Sequence, residues 1–405
     1  MSSNINENNY SNVKKNRNVI FKKVIDATRA PNVDPCNPES VSRKLLGKSP
    51  LKKSIGSGVY GKAYVYPAGN NKFLCVKLSK TKNENLIHEF ATMKILAKRG
   101  HYCPMPYTIR SCGVSMMYYQ YANGGDLKKY LKTLLNFKRE DAKAVFILQV
   151  KSIVTQVLMH LHHLQKEMPS FRHNDLHIQN ILITKGGKTS GFSSYNVKGR
   201  KILKRNVGIM AYLHDFGFAD SDNLPNESVR KTKDFYDYGI KPHSHPMYDA
   251  QFFLSSLFNE FKTVPAFAET ARMITQVLPK EYLQFGSRFV NNFRLKPNVR
   301  HYLPTIEHIL EHPYFEKKTI NRLGQALSVI VNKRVEKKKE VSKKKEAPKN
   351  IFMNKDNDLK IKKKKCRLYK KSEIQFIAQT KGIDTKGMTV AQICDALKKK
   401  YINKV

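Results

Sequence analysis

The chain has 405 residues, with 74 Lys and Arg against 32 Asp and Glu, a formal net charge of +42. That length allows about one to three domains, the 20 Tyr and 21 Phe permit a large core, and the charge favours acidic partners such as nucleic acid, acidic proteins or an anionic membrane surface. No apolar run approaches the roughly 18 residues of a membrane span, no signal peptide opens the chain, and six cysteines without C-x-x-C spacing predict a reducing, intracellular, non-secreted setting without a structural zinc.

In chain order, residues 1–45 are polar, Asn-rich and basic, and predict an only partly ordered extension. Ile55-Gly56-Ser57-Gly58-Val59-Tyr60-Gly61-Lys62-Ala63 is a glycine-rich turn. Glycines let a backbone approach phosphate oxygens where a side chain would collide. Alone, this pattern would also fit a dinucleotide-binding turn, but no acidic residue about 20 positions on, after a βαβ unit, supports that. Phe73-Leu74-Cys75-Val76-Lys77 predicts an apolar strand ending in lysine. From Asn85 to Leu96, Leu86, Phe90, Met93 and Leu96 form a helical stripe carrying Glu89. Met117 to Leu127 reads as a strand, a Gly124-Gly125 turn and a helix start.

A long helix from Val145 to His163 runs into His173-Asn174-Asp175-Leu176-His177, then Asn180, then Asp215-Phe216-Gly217. A carboxylate can accept or orient the proton of an attacking hydroxyl, and an amide oxygen with a second carboxylate suits a hard cation. Between Asn180 and Asp215 lie 34 residues, and 185–206 carries seven Lys or Arg and no acid. It predicts a solvated hairpin extending the strands on either side, with a basic docking arm as the sharper alternative. His243-Ser244-His245-Pro246 lacks a Cys or acidic companion and reads as a loop rather than a metal pair. Thr305 to Phe315 predicts a closing helix, and Lys333 to Arg367 a lysine-rich linker. Lys333 to Val405 hold 24 Lys and Arg against 8 Asp and Glu, a surplus of +16. The last segment, 368–405, has capping-box signals at Ser372 and Thr389, each opening a short helix.

Taken together and in this order, the motifs resemble the eukaryotic-type protein kinase superfamily. The resemblance implies an α+β, bilobal fold: a small β-rich lobe at 46–121 and a large α-helical lobe at 122–318, after an N-terminal extension at 1–45. A helical, then Lys-rich linker at 319–367 and a C-terminal module at 368–405 follow. It implies Asp175 as catalytic base, Asn180 and Asp215 as Mg²⁺ ligands, and Lys77 paired with Glu89 on the ATP phosphates, with Glu84 as the alternative partner. The Lys77–Glu89 spacing is shorter than the family's, which predicts a helix that begins late. ATP would lie against Ile55, Gly56, Gly58, Gly61, Ala63, Cys75, Gln120 and Ala122. Tyr119 would be the gatekeeper and Asp126 would face the ribose.

The departures also carry information. Asn174 replaces the arginine of H-R-D that normally receives an activation-loop phosphate, so no such phosphate is expected to be needed. His177 replaces the catalytic-loop lysine, and H-N-D-L-H resembles the H-G-D-x-H loop of aminoglycoside-type kinases. No A-P-E lies between Asp215 and Asp249, and Leu303 stands where its arginine partner is expected. Asp249 falls where the family's central-helix aspartate braces the catalytic loop. The resemblance implies a serine/threonine protein kinase, since nothing matches the tyrosine-kinase loop. It extends to divergent kinases of large cytoplasmic DNA viruses, iridovirus-like ones especially, without deciding between host cytoplasm, host nucleus and virion. The C-terminal module resembles the SAP-type helix–loop–helix unit, which makes DNA a candidate partner beside protein substrates. The alternatives are a small-molecule phosphotransferase, a pseudokinase scaffold, and a DNA-binding protein with a vestigial kinase fold.

Overall fold

A computed structural model describes residues 20–47, 53–57, 61–68, 73–79, 84–100, 102–136, 140–186, 191–283, 294–295, 303–316, 351–353, 359–361, 364–368, 370–381 and 383–402. The chain forms two units, Met1–Leu327 and Ser328–Val405.

The first unit opens with helix α1 (residues 20–29) and helix α2 (Pro38–Leu46). Asn37 caps α2 through Glu39 N and Ser40 N, and Gly47 closes it at φ 70°. Strands β1 (Lys53–Ser57), β2 (Gly61–Pro67), β3 (Phe73–Ser79), β4 (Pro106–Cys112) and β5 (Val114–Gln120) form one antiparallel sheet in the order β1-β2-β3-β5-β4. Helix α3 (Glu84–Arg99) packs against β4 and β5. It does not begin late: its first residue is Glu84.

The period-two rule explains why this sheet is covered on both faces. On β3 and β5, Leu74, Val76, Met116 and Tyr118 point to one side and pack with Val24, Ala27 and Val41 of α1 and α2. Their neighbours Cys75, Met117 and Tyr119 point to the other side, into the main core. The five sheet residues Tyr66, Leu74, Val76, Met116 and Tyr118 are each at most 3% exposed. At roughly 1.5–3 kcal/mol per side chain, the outer face is worth on the order of 10 kcal/mol. Tyr118 also donates to Pro35 O at 2.9 Å, Ser42 to Pro67 O at 2.6 Å, and Cys36 is bonded to Cys112. The expectation of a partly ordered extension is therefore corrected for residues 20–47. The expectation of reduced thiols is corrected as well: four of the six cysteines are joined in disulfides, and Cys75 and Cys103 are buried thiols.

The larger part of this unit centres on α5 (Glu140–Glu167). Val150, Val154, Val157, Leu158, Leu161 and Leu164 are at most 1% exposed. A helix apolar on nearly all faces belongs inside a core. Its Lys143–Glu167 stretch is long and apolar enough to cross a membrane by length and composition, yet most of it is buried within the fold. Around it lie α4 (Leu127–Leu135), α6 (Glu227–Lys231), α7 (Tyr248–Phe261), α8 (Ala268–Val277) and α9 (Ile306–Leu310). Strands β6 (Gly125–Asp126), β7 (Ile181–Lys185) and β10 (Ile209–Leu213) form a three-stranded sheet in the order β10-β7-β6.

Strands β8 (Phe192–Val197) and β9 (Arg200–Arg205) form a separate two-stranded sheet. This hairpin does not extend β7 and β10 into solvent as expected. Val197 and Ile202 are buried, β9 packs on α5, and Ser152 Oγ donates to Arg205 O at 3.3 Å. Two apolar residues among the basic ones anchor it.

In the second unit, β11 (Ile351–Met353), β12 (Leu359–Ile361) and β13 (Lys364–Lys365) form an antiparallel sheet within the stretch expected to be a linker. Helices Lys371–Thr380 and Val390–Ile402 follow. Their core joins Ile374, Ile377, Ala378, Ile393 and Leu397 with the Cys366–Cys394 disulfide. Glu373 accepts from Lys370 N at 3.0 Å, so the first helix starts ahead of Ser372; Thr389 and Gln392 form the second capping box.

Candidate active site

Strand β3 delivers Lys77 to the cleft between the sheet and the helical part, opposite α3. Lys77 Nζ lies 2.7 Å from Glu89 Oε2 and 2.8 Å from Asp215 Oδ1. Glu89 is 2% exposed and Lys77 14%. Burial alone would depress the Lys77 ammonium, but Asp215 and Glu89 together outweigh it and hold it above its ordinary value. Burial raises Glu89 to about 7, against the Lys77 charge. Partial burial would raise Asp215 as well, yet Lys77 holds it well below the usual carboxylate range. Glu84, the alternative partner, sits at the first position of α3.

Asp215 has φ 65° and ψ 66°, a left-handed conformation that turns it out of β10. Phe216 is fully buried beside His173, ring centroids 4.8 Å apart, so the following residues are fixed to the core. His214 N donates to Asn180 O at 2.9 Å, which stitches the two loops together. Burial pushes the His214 imidazole down to about 3, with the Lys77 charge adding to it.

The loop from His173 to Asn180 hangs on α7. Asp249 is fully buried and accepts from His173 N at 2.7 Å and Asn174 N at 2.9 Å. Burial raises this carboxyl even so. Asn174 takes φ 61° and uses its side chain twice: Nδ2 donates to Phe218 O at 3.0 Å, and Oδ1 accepts from Ser244 Oγ at 3.1 Å. Asn180 Nδ2 donates to Asp175 O at 2.8 Å and to Asp175 Oδ2 at 2.9 Å. That orients its amide oxygen away from Asp175. His177 Nε2 lies 3.8 Å from Asp175 Oδ2, while its Nδ1 accepts from Gln179 N at 3.2 Å. Burial lowers the His177 imidazole, against the Asp175 charge.

Lys77, Glu89, Asp175 and Asp215 thus line one cleft. An amide oxygen and a carboxylate, both hard donors, suit Mg²⁺ better than a soft metal. Asn180 and Asp215 are therefore the residues that would hold it.

Deeper in the sheet, Cys75 and Tyr119 are cross-strand partners on β3 and β5, and burial raises the Cys75 thiol to about 12, so it stays neutral. The Tyr119 ring lies 5.4 Å from His214 and backs the cleft. Ala63 pairs with Lys77 across β2 and β3. Gln120 N donates to Met105 O at 2.8 Å, and Ala122 O accepts from Gly125 N at 3.1 Å. Asp126 caps α4: Oδ1 accepts from Lys129 N at 2.9 Å, and Oδ2 pairs with Lys129 Nζ at 3.1 Å. Ile55 and Gly56 lie in β1, where the ladder shifts register, and Gly58 is outside the described residues. A Cβ on Gly61 would collide with the Leu78 carbonyl oxygen, so the fold itself requires glycine there.

Three arginines that sequence reasoning missed organise the surroundings. Arg172 is buried and donates to the carbonyls of Ser244, His245, Pro169 and Phe171 at 2.6–3.1 Å. Arg230 on α6 holds Asp220, with Nε–Oδ1 at 2.9 Å and Nη2–Oδ2 at 3.2 Å. Arg294 pairs with Asp175 Oδ1 and donates to Asn174 O. Leu303, the position where an arginine was expected, is apolar and buried. Arg172 adjoins His173 in sequence, which was the one available signal.

Residues 50–236 match the family model of the protein kinase domain. This stretch is similar to a protein kinase domain. The chain is 24% identical over 219 residues to a protein named as a serine/threonine-protein kinase of Acanthamoeba polyphaga mimivirus, which covers 52% of this chain. The alignment spans 45% of that viral protein, so the two share about half of their lengths. The kinase domain therefore resembles a viral one.

Proposed function

We propose that the protein transfers the γ-phosphoryl group of ATP to serine and threonine hydroxyls of proteins. The observation that carries this reading is the gathering of Lys77, Glu89, Asp175 and Asp215 on one cleft, with Asn180 hydrogen-bonded to Asp175. Lys77, fixed from both sides by carboxylates, supplies a rigid positive charge for the nucleotide phosphates. Asp175 orients the acceptor hydroxyl and takes its proton. Mg²⁺ held by Asn180 and Asp215 would neutralise charge on the transferred phosphate. Tyr119 and Cys75 present a neutral, apolar wall to the base.

The finer readings belong to the same proposal. Serine and threonine are the acceptors, and the protein acts within a host cell. The lysines of residues 333–405 contact nucleic-acid phosphates. The test is the full chain with Mg²⁺ and labelled ATP, offered a basic protein, an acidic protein and an aminoglycoside panel, beside Asp175→Asn. Protein phosphorylation that falls roughly 10²–10⁴-fold in Asp175→Asn, with nucleotide binding retained, supports the reading. Labelling of aminoglycosides alone, or an undiminished variant, overturns it.

A further inference from the structure

A transferring phosphoryl group spreads negative charge over its oxygens, and fixed positive charge near them lowers the barrier. Lys77 serves the nucleotide end and is already shared between Glu89 and Asp215. At the acceptor end, the loop from His173 to Asn180 carries no Lys or Arg of its own. His177 stands in the loop, but its Nδ1 accepts a hydrogen bond from Gln179 N at 3.2 Å, and a ring nitrogen that accepts carries no proton. Its other nitrogen lies 3.8 Å from Asp175, beyond hydrogen-bond reach.

Arg294 enters from a distant part of the chain, 119 residues beyond Asp175. Its guanidinium is 4% exposed, lies 4.7 Å above the Phe252 ring, and donates to Tyr248 OH at 3.1 Å. Its Nη2 meets Asp175 Oδ1, while Asn180 holds Oδ2 of the same carboxylate at 2.9 Å. Among the described residues, Arg294 is the Lys or Arg that pairs with Asp175. Tyr248 and Phe252 both belong to α7, the helix that also carries Asp249, so one element positions the loop and its cation.

We propose that Arg294 is a positioning residue for phosphoryl transfer: it fixes the Asp175 carboxylate and supplies the positive charge beside the acceptor hydroxyl that the loop itself lacks. This rests on the kinase reading above. A lysine at position 177 would restore a cation to the same place from the loop side. An arginine that merely tethered its own segment could not be replaced in that way.

The experiment measures kcat and the KM for ATP on a serine peptide for wild type, Arg294→Met, Arg294→Lys and the double variant Arg294→Met/His177→Lys, each checked by thermal melting. Expected are a kcat loss of about 10²-fold or more in Arg294→Met, a KM for ATP within about threefold, and at least tenfold recovery in the double variant. Arg294→Lys should stay within about tenfold of wild type, and it decides the question should Arg294→Met fail to fold. An undiminished Arg294→Met, a folded double variant with no recovery, or a folded Arg294→Lys as inactive as Asp175→Asn overturns the inference alone. A wild type without turnover overturns the kinase reading and this inference with it.

Discussion

Replacing Arg230 by methionine should cost the proposed kinase activity most of its rate without touching any residue of the Lys77–Asp215 cleft. Asp220, four residues past Phe216, is 3% exposed on its side chain, and Arg230 grips both its oxygens. Asp220 N and O also bridge to Arg172 at 2.9 Å, and Asp220 Oδ1 accepts from Asn226 N at 2.8 Å. Asn226 in turn donates to Gly217 O and Ala219 O. The segment after Asp215 is thus ordered by an internal guanidinium–carboxylate pair, and Arg172 is already satisfied by carbonyls. No phosphate is needed to bind it. Stranding a buried carboxylate costs about 3–5 kcal/mol. Here the guanidinium is 30% exposed and Asn226 N still donates, so about 2 kcal/mol is the better figure. That corresponds to about a 30-fold shift in segment order, and kcat/KM for a peptide should fall by up to that factor. The assay compares phosphatase-treated wild type with Arg230→Met. Full activity in the variant refutes the argument. So does a wild type that loses activity with phosphatase and regains it through phosphorylation within residues 218–246.

Two further outcomes follow from charge. His214 has its imidazole pushed down to about 3, so between pH 6.5 and 3 the unfolded chain takes up a proton that the folded one refuses. The sign is loss of stability as pH falls below about 6.5, at about 1.4 kcal/mol per pH unit; melting at pH 5 against pH 7 should show a drop of several degrees that His214→Gln reduces, and equal slopes would refute it. Deleting residues 333–405 removes +16 of charge and no residue of the cleft, so peptide phosphorylation should persist while duplex-DNA affinity falls sharply, the intact protein alone showing a steep salt dependence. Equal, salt-insensitive DNA binding by both proteins would refute the DNA contact, and lost peptide activity would show that the deleted stretch supports the first unit.

What could be read in the sequence was what chemistry ties to short spacing. Asp175 and Asn180 are five apart because the amide must reach back to the carboxylate, and the 2.9 Å bond between them is that reach. Lys77 had to end an apolar strand, and Glu89 had to face it from a helix. Arg230, Asp220 and Arg294 left no such trace, because their partners are set by tertiary folding across 10 to 120 residues. The layer formed by α1 and α2 was missed for a different reason. Its polar composition suggested disorder, but a few apolar residues, Val24, Ala27 and Val41, were enough once a matching sheet face existed. The β8–β9 hairpin repeats that lesson with Val197 and Ile202. Asp126 shows the reverse limit: its residue type suited both a ribose contact and a helix cap, and its carboxylate caps α4.

The stretch that resembles other kinases starts at residue 50, but the sheet it contains has a second side. Cutting the chain there would uncover Leu74, Val76, Met116 and Tyr118, four adjacent apolar side chains on one flat surface, and would sever Cys112 from its partner. Exposed strands of that kind seek one another. The segment recognisable by ancestry is therefore smaller than the segment able to stand alone in water, and any fragment intended for expression has to begin before α1.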